Sequence, residues 1–124
     1  MRLGEPTAAI DLPPTSSAPG AARAFVHEHL SEETRPDVLD AVDLCVSELV
    51  TNAIDHAQPP YRLRLSERGR ILRIELEDAT VEPPIVRSQH PLQARGRGMY
   101  LIETLSQAWG VLPSDHGKTV WAEF

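Results

Sequence analysis

The chain has 124 residues, of which 41% are hydrophobic and 24% charged, and its formal net charge is -6. This length and composition are typical of one soluble globular domain, which can bury an ordinary hydrophobic core without stabilising disulfides or metal ions. The excess of acidic residues argues against direct binding to DNA or RNA, because duplex binding rests on many Lys and Arg contacts to phosphate.

Features of membrane or secreted proteins are missing from the sequence. No apolar run approaches the roughly 18 residues that span a bilayer, and the stretch from Met1 to Glu5 lacks the apolar core of a secretory signal. Cys45 is the only cysteine, so it forms no internal disulfide, and no zinc-type spacing surrounds it. We therefore predict a protein of the reducing cytoplasm without membrane contact.

The N-terminal part of the chain predicts a strand and then a helix. Residues 1–16 form an N-terminal segment rich in Pro, Ser and Thr, within which residues 8–12 fit an edge strand. Ser17 followed by Pro19 is typical of a helix start, and apolar residues on one face carry that helix to about Leu30.

The middle of the chain predicts a long helix and a hairpin. Apolar residues spaced by three and four begin near Thr34 and stop at Pro59-Pro60, which ends the helix. Residues 61–65 and 72–76 then alternate between apolar and charged side chains, and the connection 66–70 contains a glycine. Such alternation predicts two antiparallel strands with one face in water.

The C-terminal part predicts an irregular segment, a helix and a last hairpin. Residues 78–95 contain several prolines, and a loop of this length is usually functional or mobile. A helix follows Gly96-Arg97-Gly98, and strands at 109–112 and 118–124 close the chain. Residues 17–124 therefore predict one α+β domain, a mixed and mostly antiparallel sheet with helices on one face.

Polar residues on the long helix form the first candidate site. Glu48, Asn52 and His56 recur every four residues and share one stripe beside the apolar face. A glutamate can serve as a general base, and an amide oxygen suits a hard cation such as Mg²⁺. On spacing alone, the solvated face of an amphipathic helix is the simpler interpretation.

Two further candidates are individually weak. Asp78 follows a predicted strand, where its carboxylate suits an adenine amino group but equally an ordinary turn. Gly96-Arg97-Gly98 opens a helix, where glycines allow close approach of phosphate and the helix N-terminus favours anions. A lone Gly-x-Gly pair is also common in ordinary loops.

Taken together, these segments resemble one family. The stretch Ser-Glu-Leu-Val-Thr-Asn-Ala-Ile-Asp-His-Ala at 47–57 resembles the N-box of the gyrase, Hsp90, histidine-kinase and MutL ATPases, and Asp78 falls where these ATPases have their adenine-binding aspartate. Residues 96–102 resemble the second glycine box, and residues 109–121 the closing hairpin. Over about residues 20–124 the chain is similar to the single-domain anti-sigma factor serine kinases.

The resemblance implies a fold, a reaction and partners. The fold would be the two-layer Bergerat α/β sandwich, and the cofactors would be ATP and Mg²⁺. The reaction would transfer phosphate to a serine of an anti-anti-sigma protein with a STAS domain. A kinase of this family also binds a sigma factor and works as a homodimer. The implied roles are metal ligand for Asn52, catalytic base for Glu48, adenine contact for Asp78, phosphate binding for Gly96, Arg97 and Gly98, and support of the adenine beside Asp78 for Thr119.

One departure from the family pattern keeps an alternative open. The first glycine box normally has a glycine two residues after its aspartate, and here that position is Thr80. A module that sequesters a sigma factor by docking alone, with bound nucleotide or none, is therefore the second hypothesis. The catalytic domain of a histidine kinase is disfavoured, because the sequence shows no dimerisation and phosphoacceptor helices.

Overall fold

The structure of the chain, a computed structural model, describes residues 8–30, 36–81 and 97–124. Its elements follow in the order β1 (Ala8–Leu12), α1 (Ala18–His29), α2 (Pro36–His56), β2 (Tyr61–Arg68), β3 (Ile71–Asp78), α3 (Arg97–Leu105), β4 (Ala108–Ser114) and β5 (Gly117–Glu123). The predicted α+β class and order of elements are confirmed. The irregular segment predicted at 78–95 lies mostly outside the described residues.

The five described strands form one sheet in the order β1-β2-β3-β5-β4. Every neighbouring pair is antiparallel, which confirms the mostly antiparallel sheet that was predicted and leaves no parallel pair among the described strands. Short connections explain the antiparallel pairing of consecutive strands. Pairing of β2 with β3 continues to Arg68 and Ile71, which leaves Gly69 and Arg70 as a two-residue turn, with Gly69 at a φ of 62°.

The sheet has one dry face and one polar face, as the period-two alternation of its strands requires. The dry face packs against the helices through alternate residues that are all buried: Leu63, Leu65, Leu72, Ile74, Leu76, Val120 and Ala122. On the polar face Arg64 pairs with Glu77 at 2.6 Å, and Arg73 pairs with Glu75 at 2.7 Å. The two-layer arrangement is therefore set by burying only one side of each strand.

The helices are joined to one another by a few polar contacts beside the apolar core. Between α1 and α2, Arg23 donates to Ser47 Oγ at 2.8 Å and His27 lies 2.8 Å from Asp43. The Sγ atom of Cys45 in α2 lies 3.9 Å from the Leu101 carbonyl in α3. None of the helices in the described ranges has the length and apolarity that crossing a bilayer requires.

The C-terminal end of α2, at His56, lies at the same end of the molecule as the last residue of β3, Asp78. We call this end the α2-end. The Ala79 N–H donates to the Gln58 carbonyl at 2.9 Å, so the end of β3 meets the chain that leaves α2. The end of α3 lies at the opposite end of the strands, where the Gln107 N–H donates to the carbonyl of Glu123, the last residue of β5, at 2.8 Å. The N-terminus of α3 therefore points towards the α2-end, and α2 and α3 run antiparallel.

Candidate functional site

The polar stripe on α2 lies at the margin of the core, as predicted. Glu48 and Asn52 are half-buried and His56 is exposed, while the adjacent Leu49 and Ala53 are buried. Among the described residues, neither the Glu48 carboxylate nor the Asn52 amide makes a hydrogen bond or an ion pair. Two half-buried groups with this unused hydrogen-bonding capacity are suited to a ligand.

The first turn of α3 lies beside this stripe. Leu101 is level with Cys45, and Arg97 lies four residues, or about 6 Å, closer to the α2-end. Asn52 lies seven residues, or about 10 Å, beyond Cys45 in the same direction. Asn52 is therefore a few ångströms past the first residue of α3, where the unpaired N–H groups of a helix N-terminus attract anions.

Gly96, Arg97 and Gly98 were predicted to bind phosphate. Gly96 lies outside the described residues. Arg97 and Gly98 are the first residues of α3, which confirms that this pair opens a helix. Their roles towards phosphate stay predictions.

Asp78 is the last residue of β3 and faces the dry side of the sheet. It is only 4% exposed, and its Oδ2 accepts a hydrogen bond from Lys118 Nζ at 2.6 Å. Its Oδ1 accepts a hydrogen bond from the Thr80 N–H at 2.8 Å. Because each oxygen of the buried carboxylate accepts a hydrogen bond, the side chain is held in one orientation. A group that recognises a base needs such a fixed orientation.

The chain around Asp78 is tied to the end of α2. Thr80 Oγ1 accepts a hydrogen bond from the Gln58 N–H at 2.7 Å. The Tyr61 hydroxyl donates to the carbonyls of Ala57 at 2.8 Å and of Ala53 at 3.1 Å. Burial, and after it the negative charge of Asp78, raises the pKa of Tyr61, so this hydroxyl keeps its proton and its role as a donor.

The start of β5 lies against the backbone of Asp78. A Cβ atom placed on Gly117 would lie 1.9 Å from the Asp78 carbonyl oxygen and 2.8 Å from the Ala79 Cα. Both neighbours are backbone atoms and cannot rotate away. Only glycine therefore allows β5 to approach β3 closely at this point, which brings Lys118 to Asp78.

The predicted position of Thr119 beside Asp78 is wrong. The register pairs Asp78 with Lys118 and pairs Thr119 with Glu77. Because successive side chains of a strand point to opposite faces, Lys118 shares the buried face with Asp78 and Thr119 lies on the other face. The alternation of side chains along β5 could have indicated this, because Val120 and Ala122 lie on its buried face and Lys118 is two residues before Val120.

Cys45 has a structural role. Its side chain is 2% exposed, and burial, with a smaller contribution from the charge of Glu48, raises the pKa of its thiol to about 12. A thiol that stays protonated is a poor nucleophile and metal ligand. Cys45 therefore packs as a small buried residue of the core.

The donor chemistry of the stripe fits Mg²⁺ better than a transition metal. Within the described ranges, no group of three or more His, Cys, Asp or Glu residues could hold a metal ion. Asn52 offers an amide oxygen and Glu48 a carboxylate, which are hard ligands. Mg²⁺ is commonly bound by one or two such oxygens together with phosphates and water. Asn52 and Glu48 therefore fit a cation that arrives with a phosphate ligand.

Comparison of the chain with known proteins identifies a matching family and structures with a similar fold. Residues 12–124 match the family model of the histidine kinase-like ATPase domain. No curated protein sequence matches the chain significantly. The fold is similar to that in the crystal structure of the RsbU and RsbW domains of Rv1364c from Mycobacterium tuberculosis, with a TM-score of 0.72, 19% identity, and coverage of 96% of this chain and 32% of that one.

A second similar structure is the histidine kinase domain from the Erythrobacter litoralis EL346 blue-light activated histidine kinase. Its TM-score is 0.53 and its identity 24%, with coverage of 71% of this chain and 44% of that one. This chain therefore spans less than half the length of either protein. At these identities the similarity concerns the fold.

Proposed function

This chain belongs to the family of histidine kinase-like ATPase domains, and we propose that it binds Mg-ATP at the α2-end and is an anti-sigma regulatory protein with serine kinase activity. The acceptor would be a serine on a STAS-type anti-anti-sigma protein. The motifs at 47–57 and 96–102, which resemble those of anti-sigma factor kinases, support this choice.

One observation carries the proposal. Glu48 and Asn52 are half-buried, lack partners among the described residues and lie beside the first turn of α3, at the same end of the molecule as the buried Asp78. A solvated helix face would not need this placement. A nucleotide laid across the α2-end would have its base near Asp78 and its phosphates near Asn52 and the α3 N-terminus.

The residues of the stripe would divide the chemistry between them. Asn52 would hold Mg²⁺, which supplies neutralisation of the charge that develops on the phosphates. Glu48 would accept the proton of the serine hydroxyl while the serine oxygen forms its bond to the γ-phosphorus and the bond from that phosphorus to the ADP oxygen breaks. Phosphoryl transfer depends mainly on positioning and charge stabilisation, so one carboxylate and one metal ligand are a sufficient minimum.

A transfer assay tests the proposal directly. Purified protein is incubated with Mg²⁺ and γ-labelled ATP together with each anti-anti-sigma protein encoded in the same genome. Label on a serine of one of them, lost when that serine is changed to alanine, is the expected result. Absence of label on every such protein, under conditions where ATP binding is measured, would exclude the kinase activity.

A second candidate function is favoured by the state of Asp78. Both of its carboxylate oxygens already accept a hydrogen bond from within the chain, one from Lys118 and one from Thr80. This is compatible with a module that docks a sigma factor without nucleotide. Calorimetry distinguishes the two functions, because no heat of binding at millimolar ATP would favour the docking module.

The partners follow from the same proposal. The kinase would bind the anti-anti-sigma protein and a sigma factor in alternation, and would act as a homodimer. Sedimentation analysis of the purified chain with and without each partner tests these three associations separately.

A further inference from the structure

Lys118 is the single lysine of the chain, and it is buried at the α2-end. Its side chain is 9% exposed, although lysine is among the residues least often buried without a reason. It lies on β5 directly opposite Asp78 in the β3–β5 register. Burying an ammonium and a carboxylate together is expensive in free energy, and replacement by apolar residues often stabilises a protein. The pair therefore calls for a functional explanation.

The ammonium of Lys118 keeps unused hydrogen-bonding capacity. It has three N–H donors, and within the described part of the chain it donates to Asp78 Oδ2 alone. The Tyr61 hydroxyl, which lies near Asp78, directs its proton to the carbonyls at the end of α2. As far as the described residues go, the α2-end thus presents an unused donor next to an acceptor, at a separation of 2.6 Å between Lys118 Nζ and Asp78 Oδ2.

That pair of groups matches one edge of adenine. The ring N1 of adenine is an acceptor, and the 6-amino group beside it is a donor. Guanine presents an acceptor followed by two donors on the same edge, so reading it fully takes two free acceptor sites. Each oxygen of Asp78 already accepts one hydrogen bond. This favours adenine, because the edge of adenine needs only one acceptor from the protein.

We propose that Lys118 determines nucleotide specificity by donating a hydrogen bond to adenine N1 while Asp78 accepts one from the 6-amino group. This inference rests on the proposed binding of ATP. It assigns to Lys118 the place next to Asp78 that Thr119 was predicted to have. A purely structural ion pair that joins β3 to β5 would be indifferent to whether the base has a nitrogen at position 1.

The test compares ATP with 1-deaza-ATP, in which a C–H replaces N1, by titration calorimetry with Mg²⁺. A hydrogen bond from a charged donor corresponds to about a 10- to 100-fold change in affinity. We expect the unmodified protein to bind 1-deaza-ATP weaker than ATP by this factor. We expect Lys118→Met to bind ATP weaker by a similar factor and to bind both nucleotides within twofold of each other.

The matched control is Arg70→Met, which removes an exposed cation from the β2–β3 turn at the far end of the sheet. It should leave both affinities unchanged. Because Lys118 is the only lysine, its side-chain resonance in lysine-labelled protein is a second readout. Saturating ATP should shift this signal, and saturating 1-deaza-ATP should shift it much less.

The outcomes separate this inference from the proposed function. If the unmodified protein binds no purine nucleotide, both fail. If it binds ATP and 1-deaza-ATP equally, only the role of Lys118 fails, and this comparison needs no variant to fold. Tighter ATP binding by Lys118→Met would also overturn the inference, because the ammonium would then obstruct the base. Preference for GTP over ATP would overturn it in favour of guanine.

Discussion

Replacing Gly117 by alanine should disrupt the contact between β5 and β3 that holds Asp78 in place. The added Cβ would lie 1.9 Å from the Asp78 carbonyl oxygen, whereas real Cβ contacts stay at 3.0 Å or more. The two strands must therefore separate locally by about 1 Å, which stretches the 2.6 Å bond between Lys118 and Asp78 beyond hydrogen-bonding range.

The cost combines overpacking with a weakened buried ion pair. We expect a loss of about 3 kcal/mol in the free energy of unfolding, or about 10 °C in Tm for a chain of this size. Thermal unfolding followed by circular dichroism, with urea unfolding as the equilibrium check, measures it. If ATP binds as proposed, its affinity should fall together with stability.

Gly20→Ala provides the matched control. Gly20 lies in α1, and an added Cβ would meet only the flexible end of Arg23 at 3.7 Å. Alanine also favours helix over glycine by up to about 1 kcal/mol, so this variant should melt at the same temperature as the parent or higher. A Gly117→Ala protein that melts within 2 °C of the parent would refute the argument from close approach.

Further outcomes are expected at α2 and β2. Asn52→Ala should remove Mg-ATP binding measured by calorimetry, whereas Glu48→Gln should bind normally and lose transfer in the labelling assay; equal loss of binding in both would contradict the role of Glu48. Cys45 should resist alkylation at pH 8 in the folded protein and react on unfolding. Burial raises the pKa of this thiol from 9.0 to about 12, so the folded state keeps the proton more tightly than the unfolded state does. In denaturant titrations, the resulting contribution to the free energy of unfolding should be complete below pH 9 and should be lost as the pH rises towards 12. Tyr61→Phe, which loses the hydroxyl proton shared between two carbonyls at the end of α2, should lower the free energy of unfolding by about 1–2 kcal/mol in urea titrations, and an unchanged midpoint would contradict this.

The helices and strands could be predicted because their signals are local. Apolar spacing of three and four marked α2, and the pair Pro59-Pro60 placed its end, since a helix cannot continue through proline. Alternation marked β2 and β3, although their pairing extends further than the apolar pattern does. The stripe of Glu48 and Asn52 was also visible, because α-helical geometry alone places residues four apart on one face.

The neighbours of Asp78 could not be predicted in the same way. The residue opposite it depends on the register between β3 and β5, which are separated by α3 and β4 in the chain. A shift of one residue would exchange Lys118 for Thr119 beside Asp78, and the resemblance that implied Thr119 carries no information about this register. Alternation within β5 would have corrected the face, but it could not have identified the partner strand.

The amino-acid sequence by itself determined the secondary structure, the amphipathic α2 with its polar stripe, and the order of motifs that resembles the histidine kinase-like ATPases. The first two depend on residues within a few turns of one another, and the order of the motifs can be read along the chain without knowing how its segments pack. The tertiary structure alone decided that the sheet is antiparallel throughout its described strands, that α3 starts beside Asn52, and that Lys118 is buried against Asp78. Those relations join segments distant in the chain, and they depend on strand register and on the close approach that Gly117 permits.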